Sequence, residues 1–144
     1  ERGISGYVLN VGGNIRTVGG KSESEPWTVG IENPDGGEYL AYLQVVGKSV
    51  VTSGSYQRYY TVDGKNYHHI IDSQTLVPAE GYLSVSIICK NSAEGDALST
   101  ALFCMPLEEG LALVESLEDT EALWVLSDGT RVESSGFAAH LYQK

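Results

Sequence analysis

The sequence predicts an α+β fold, a mostly antiparallel sheet with a helix pair packed on one face. Three observations lead there. Seventeen glycines separate runs rich in β-branched and aromatic residues, the texture of short strands and tight turns. Asp63-Gly64 and Asp128-Gly129 sit directly between such runs and favour two-residue hairpin turns. The texture then changes over Ala93–Met105, where apolar residues at 93, 97, 98, 101, 102 and 105 follow the one-face spacing of a helix. The 144 residues are read as a single domain, about the length one core can support.

Each element has a local cause. Tyr7–Val11 reads as a strand ended by Gly12-Gly13-Asn14. Trp27–Glu32 alternates and is closed by Asn33-Pro34-Asp35-Gly36-Gly37; Glu38–Val46 is a third strand. Ser49–Thr52 is a short fourth, broken at Ser53-Gly54, and Gly19-Gly20 is a plain turn. Ser55–Val62 and Lys65–Ile71 form the first Asp-Gly hairpin. Tyr82–Lys90 is almost continuously apolar, as a central strand buried on both faces must be. After the first helix, Pro106 suits the opening turn of a second, Leu107–Leu117, with Glu108 and Glu109 favourable at its N-terminal end. Ala122–Leu126 and Thr130–Ser134 make the second hairpin, and Phe137–Tyr142 reads as a last strand.

Composition narrows the function classes. The net charge is −10, and the deficit is concentrated in residues 73–144, with three basic and eleven acidic side chains. Phosphate backbones are held by Lys and Arg clusters, so nucleic acid and anionic membrane surfaces are poor partners. A surplus of carboxylates fits a solvated acidic face or a hard divalent cation. No apolar run approaches the roughly 20 residues of a membrane-spanning helix, and Tyr7–Val11 is too short for the apolar core of an export signal. Cys89 and Cys104 lie in apolar surroundings without the spacing of a zinc set. A bridge between them stays open. Serine-hydrolase, P-loop and His-Glu-x-x-His patterns are absent.

Three stretches carry possible chemistry. In Tyr67-His68-His69-Ile70-Ile71-Asp72 the two histidines point to opposite faces of a strand end. One of them can serve as a base near neutral pH. Asp72 either orients it or closes a turn on its own backbone. In Glu94-Gly95-Asp96-Ala97-Leu98-Ser99-Thr100, Asp96 and Thr100 are four apart on one helical face. Their oxygens suit Mg²⁺, with Ser99 adjacent as a third ligand or a support; the alternative is capping by Asp96 and back-bonding by Thr100. Third, Thr52-Ser53-Gly54 with Tyr56 and Arg58 lets backbone approach a ligand, with Arg58 as partner for a phosphate, a carboxylate or a hairpin neighbour. Gly12-Gly13-Asn14 lacks the following helix a dinucleotide fingerprint needs.

The order of these stretches is more specific than any one of them. Asn10-Val-Gly-Gly-Asn14-Ile-Arg16, Pro26-Trp-Thr-Val-Gly-Ile31, Val51-Thr-Ser-Gly-Ser-Tyr-Gln-Arg-Tyr59, Tyr67-His-His-Ile-Ile-Asp72 with Thr75 and Pro78, Ser84-Val-Ser-Ile87, Gly95-Asp-Ala-Leu-Ser-Thr-Ala-Leu102 and Ser135-Gly-Phe137 follow one another. The series resembles the C-terminal half of the ApbE family, the FAD:protein FMN transferases, from about residue 7 to residue 137.

The resemblance implies a reaction. Such proteins cleave the pyrophosphate of FAD with Mg²⁺ and transfer FMN to a threonine or serine of an acceptor, releasing AMP. Some instead hydrolyse FAD to FMN and AMP, and a flavin-binding module without turnover is a further alternative. Acceptors are typically subunits of membrane redox complexes. Members are commonly exported to the outer side of the cytoplasmic membrane and often lipid-anchored. By the same resemblance His69 is the histidine that activates the acceptor hydroxyl, and Ile71 lies against FAD. Asp96 and Thr100 are metal ligands, and Ser99 occupies a metal-site position. Ser53 and Gly54 are carried as cofactor-contacting positions. The sequence departs from the family in one loop: Asp72-Ser73-Gln74-Thr75-Leu76 replaces Asp-Pro-x-Thr-Gly, which predicts a differently shaped loop. The family's N-terminal half, with its Gly-rich lysine segment and flavin-holding aromatics, has no counterpart. The chain is therefore expected to be a C-terminal portion that binds FAD weakly by itself.

Overall fold

The structure, a computed structural model, describes residues 3–23 and 25–142. In chain order the strands are β1 (Tyr7–Val11), β2 (Asn14–Val18), β3 (Trp27–Ile31), β4 (Ala41–Val45), β5 (Ser49–Gly54), β6 (Tyr59–Val62), β7 (Lys65–His68) and β8 (Tyr82–Cys89). Two helices follow, α1 (Ser92–Phe103) and α2 (Leu107–Glu115), then β9 (Glu121–Leu126), β10 (Arg131–Glu133) and a 3₁₀ turn, Phe137–His140. Six strands form one antiparallel sheet in the order β1-β2-β5-β8-β9-β10, with two separate hairpins, β3-β4 and β6-β7. The α+β expectation holds, and no helix among the described residues is long and apolar enough to cross a membrane.

Strand β8 explains the architecture. Its odd positions Val85, Ile87 and Cys89 pack with Leu102 and Phe103 of α1, Val114 of α2, and Ala122 and Trp124 of β9. Its even position Ile88 packs with Val50, Leu123 and Phe137 beneath Val29, Ile31, Leu43 and Val45 of the β3-β4 hairpin. The sheet is thus covered by helices on one face and by a hairpin on the other. The apolar run of β8 follows, because neither face meets water.

Helix α1 packs directly on the sheet at Gly95. Gly95 makes this possible: a Cβ there would stand 2.8 Å from Cys89 Sγ and 3.0 Å from Val51 Cγ2. Asn91 caps the helix, its Oδ1 accepting the Ala93 amide at 3.0 Å. The turn between β6 and β7 has Asp63 and Gly64 both at positive φ, 49° and 79°, as a type I′ hairpin requires.

Four expectations are corrected. Asn14–Val18 is a strand, joined to β1 through Gly12 and Gly13 at positive φ. Ser53 and Gly54 continue β5 rather than break it, paired to Val85 and Ser84. The hairpin strands are shorter than read, and His69 lies beyond the end of β7. Phe137–Tyr142 is not a strand: Phe137 opens a 3₁₀ turn whose entry is tied by the Gly136 amide to Glu121 Oε2 at 3.1 Å. Both cysteines are free thiols. Burial pushes each thiol up, with the Asp72 charge adding to it at Cys104, so neither is a ready nucleophile.

Candidate functional site

The two histidines have divided their work. His68 is half-buried, edge-on to Phe103 at 5.6 Å. Its Nε2 donates to the Ala79 carbonyl at 2.9 Å and its Nδ1 accepts the Ile70 amide at 3.3 Å. Both ring nitrogens are used, so His68 is a structural residue. His69 is exposed. Its amide and its Nδ1 both face the Arg58 carbonyl oxygen, each at 3.3 Å. A carbonyl only accepts, so in the neutral ring the proton sits on Nδ1 and Nε2 carries the lone pair. Among the described residues nothing engages that Nε2.

His69 opens onto a surface groove of about 660 Å³ lined by Arg58, Tyr59, Tyr60, Tyr67, Ile71 and Leu76. Ile71, two residues on from His69, shares the groove. Tyr60 and Tyr67 stack across the hairpin at 5.5 Å. One side of the groove is set by the loop after Ile71. Asp72 Oδ1 accepts the Gln74 amide at 2.7 Å, and the Asp72 carbonyl accepts the Leu76 amide at 2.8 Å. Asp72 is therefore a turn-former and makes no bond to His69. The altered loop leaves Leu76 at φ +60°, a left-handed conformation that costs an L-residue roughly 1–2 kcal/mol.

The second neighbourhood lies on α1. Ser99 is fully buried against β5. The Ser99 and Thr100 hydroxyls both donate to the Asp96 carbonyl at 3.1 Å. Ser53 Oγ meets Ser99 Oγ at 2.8 Å and Thr100 Oγ1 at 3.3 Å. With the α1 protons directed at Asp96, the Ser53 proton goes to Ser99. The back-bonding alternative for Thr100 is thus realised, and Ser99 faces the sheet, where it supports the helix rather than open solvent. The Asp96 carboxylate is exposed, with no ion pair or hydrogen bond among the described residues.

The donors present are all oxygen, which suits a hard cation in kind. They fall short of a full cage: among the described residues no three His, Cys, Asp or Glu side chains gather as a metal set. Mg²⁺ tolerates that deficit, because it keeps several waters and takes substrate phosphates.

Gly54 has a different role from the one its sequence suggests. A Cβ at Gly54 would stand 2.6 Å from Tyr56 Cε1. The open side of the glycine is filled by the protein's own ring, not left for a ligand. Ser53, by contrast, faces α1 and ties β5 to the Asp96 turn.

The structure thus gathers Ser53, Ser99, Thr100 and Asp96 in one place and His69 and Ile71 in another. Arg58, whose carbonyl holds His69, is five residues after Ser53, so at most about 17 Å of chain joins the two. His68 against Phe103 fastens the same groove to the C-terminal end of α1. The sequence reading missed the Arg58 carbonyl and the tyrosine wall, and named Leu76 only as part of an altered loop. Only the wall had a legible signal, in Tyr59, Tyr60 and Tyr67 at a hairpin.

Known proteins are similar to this chain in sequence and in fold. The model of the ApbE family matches residues 1–124. A Klebsiella pneumoniae protein named FAD:protein FMN transferase is 37% identical over 138 residues, covering 94% of this chain and 42% of its own. One of the same name from Treponema pallidum is 39% identical over 143 residues, covering 92% and 39%. Among solved structures, the ApbE protein of Thermotoga maritima superposes with a TM-score of 0.89 at 35% identity, covering 96% of this chain and 45% of that one. The flavinyl transferase ApbE of Pseudomonas stutzeri, in its apo form, gives 0.75 at 30% identity, covering 99% and 45%. The chain spans less than half the length of each of these proteins.

Proposed function

The chain belongs to the ApbE family, and from that footing we propose that it is the acceptor-activating part of a flavin transferase, moving FMN from FAD to a threonine or serine hydroxyl of another protein. The observation that carries this reading is the free Nε2 of His69, set by the Arg58 carbonyl and open to a groove.

In the transfer, the acceptor oxygen attacks the phosphorus of the FMN half. The bond from that phosphorus to the bridging oxygen breaks, AMP leaves with the bridging oxygen, and the acceptor proton passes to His69 Nε2. A base in hydrogen-bond reach of the nucleophile is worth about 10²–10⁴-fold. Asp96 and Thr100 would hold a magnesium ion, with Ser99 and Ser53 fixing the helical turn beneath them. That ion, when bound, neutralises diphosphate charge. Ile71 supplies an apolar surface in the same groove, suited to a flavin ring. By the family resemblance the acceptor is a subunit of a membrane redox complex, and the protein works on the outer side of the cytoplasmic membrane.

Because His69 is exposed, water can reach the same base, which favours FAD hydrolysis as a side reaction. The full-length protein with FAD, Mg²⁺ and a threonine-containing peptide separates the readings. Covalent flavin fluorescence on the peptide is expected. FMN and AMP without labelled peptide would establish a pyrophosphatase, and bound but uncleaved FAD a flavin-binding module.

A further inference from the structure

Leu76 combines three properties that its own chain does not use. Its backbone is left-handed, a conformation glycine or asparagine adopts at lower cost. Its side chain is 77% exposed, so burial does not compensate that strain. It stands in the groove that holds His69. Strain held at the rim of a site is a pointer to function.

The rest of the rim has the same character. Val77, Ile71 and Tyr59 are exposed apolar neighbours in that groove. Beside them β6, Tyr59-Tyr60-Thr61-Val62, is exposed along its whole length and, among the described residues, pairs only with β7. It carries neither a charge nor a proline, the usual devices that keep an edge from pairing. An extended segment can add to such an edge through its backbone while alternate side chains enter the groove.

We propose that Leu76, with Val77 and Tyr59, forms an apolar lip that selects the acceptor, receiving an apolar side chain next to the reacting hydroxyl as the acceptor segment lies extended along β6. This rests on the flavin-transfer reading. The lip is assigned to the acceptor because it runs up to His69, whose Nε2 the acceptor hydroxyl has to reach, while Ile71 is left to the flavin. The exposed apolar side chain at this strained position then sets specificity.

The test uses the full-length protein, FAD and two extended peptides. Each has one threonine and no serine, with leucine two residues to either side of it in the first and glutamine at the same positions in the second, because alternate residues of an extended segment share a face. The leucine peptide is expected to be preferred by about tenfold in kcat/KM, the usual reach of one apolar contact. Leu76→Gly and Leu76→Asn should both erase most of that preference through peptide KM, with the KM for FAD unmoved and Tm unchanged or raised. The asparagine variant keeps a side chain that tolerates the left-handed backbone, so it separates lost apolar contact from a loosened loop. Retained preference in both variants would overturn the lip. A parallel rise in the KM for FAD would assign the groove to the flavin, and a fall in Tm would assign Leu76 to packing within the chain; either overturns it. FAD cleavage with neither peptide labelled would sink the transfer reading itself, and the lip with it.

Discussion

The carbonyl oxygen of Arg58 receives both the backbone amide and the ring Nδ1 of His69, each at 3.3 Å. One main-chain atom therefore fixes the rotation of the imidazole and the position of its proton. It acts as the orienting carboxylate of a catalytic triad does, without adding a charge. His68, one residue earlier, spends both its nitrogens on Ala79 and Ile70. The pair shows how a His-His sequence can hold one structural and one available ring.

Replacing His69 by Gly should lower peptide flavinylation by about 10²–10⁴-fold. FAD affinity should stay nearly unchanged. The ring is exposed, so stability should shift by no more than about 0.5 kcal/mol. Covalent flavin fluorescence and a thermal melt on the same preparation check this. A variant that labels the peptide at the wild-type rate removes His69 from the chemistry. The matching His68 variant should instead lose stability, because it orphans two backbone groups near Phe103.

Asp96 makes a sharper test of the cation. Its carboxylate has no partner to lose among the described residues, so Asp96→Asn should melt within a degree or so of the parent, consistent with an exposed substitution of about 0.5 kcal/mol or less. The same variant should require much more Mg²⁺ for FAD cleavage in the full-length protein. An unchanged Mg²⁺ titration would place the ion elsewhere. Ser99→Ala should behave oppositely, costing about 1–2 kcal/mol by removing its hydrogen bonds with Ser53 and the Asp96 carbonyl from a buried position, with a smaller effect on the ion.

How much of this was legible depended on whether the signal was periodic. Helix α1 was, through six apolar positions on one face. The β6-β7 hairpin was, through Asp63-Gly64. The strand β8 was, because an uncharged run whose polar side chains are mainly the small Ser84 and Ser86 can be central. The β3-β4 cover was not: the alternation of Val29 and Ile31 says that one face is buried, but not against what. The Arg58 carbonyl has no sequence signature, since every residue carries one. Gly54 misled for a related reason. A glycine announces missing side-chain volume and does not say whether a ligand or a neighbouring tyrosine fills it.

Gly54→Ala should therefore destabilise the fold by about 1–3 kcal/mol, the usual cost of overpacking. The cause is Tyr56, whose ring lies 2.6 Å from where the new methyl would sit. Removing that ring with Tyr56→Ala should cancel most of the penalty, so the two changes should be strongly non-additive in a double-mutant cycle. If the double variant is as unstable as the sum of the singles, the glycine serves something other than the ring.

His140 gives the fold a pH dependence whose sign can be worked out. Its imidazole lies below the ordinary 6.5, first because burial disfavours the charged form, and then because of the Lys48 charge. The Gln44 backbone and Glu121 pull the other way without overcoming burial. The unfolded chain therefore binds the proton more readily than the folded one. Stability contributed by the neutral ring is complete above 6.5 and is lost as the pH falls below it, levelling off once the folded ring also titrates. Melting at about pH 7.5 and about pH 5.5, either side of the ordinary imidazole range, should show a drop in Tm that His140→Gln reduces. The Glu115 carboxylate, held low by its hydrogen bonds from Ser135, titrates beneath that interval and should contribute equally to both proteins. An identical drop in the two proteins would remove His140 from the effect and leave it to groups common to both.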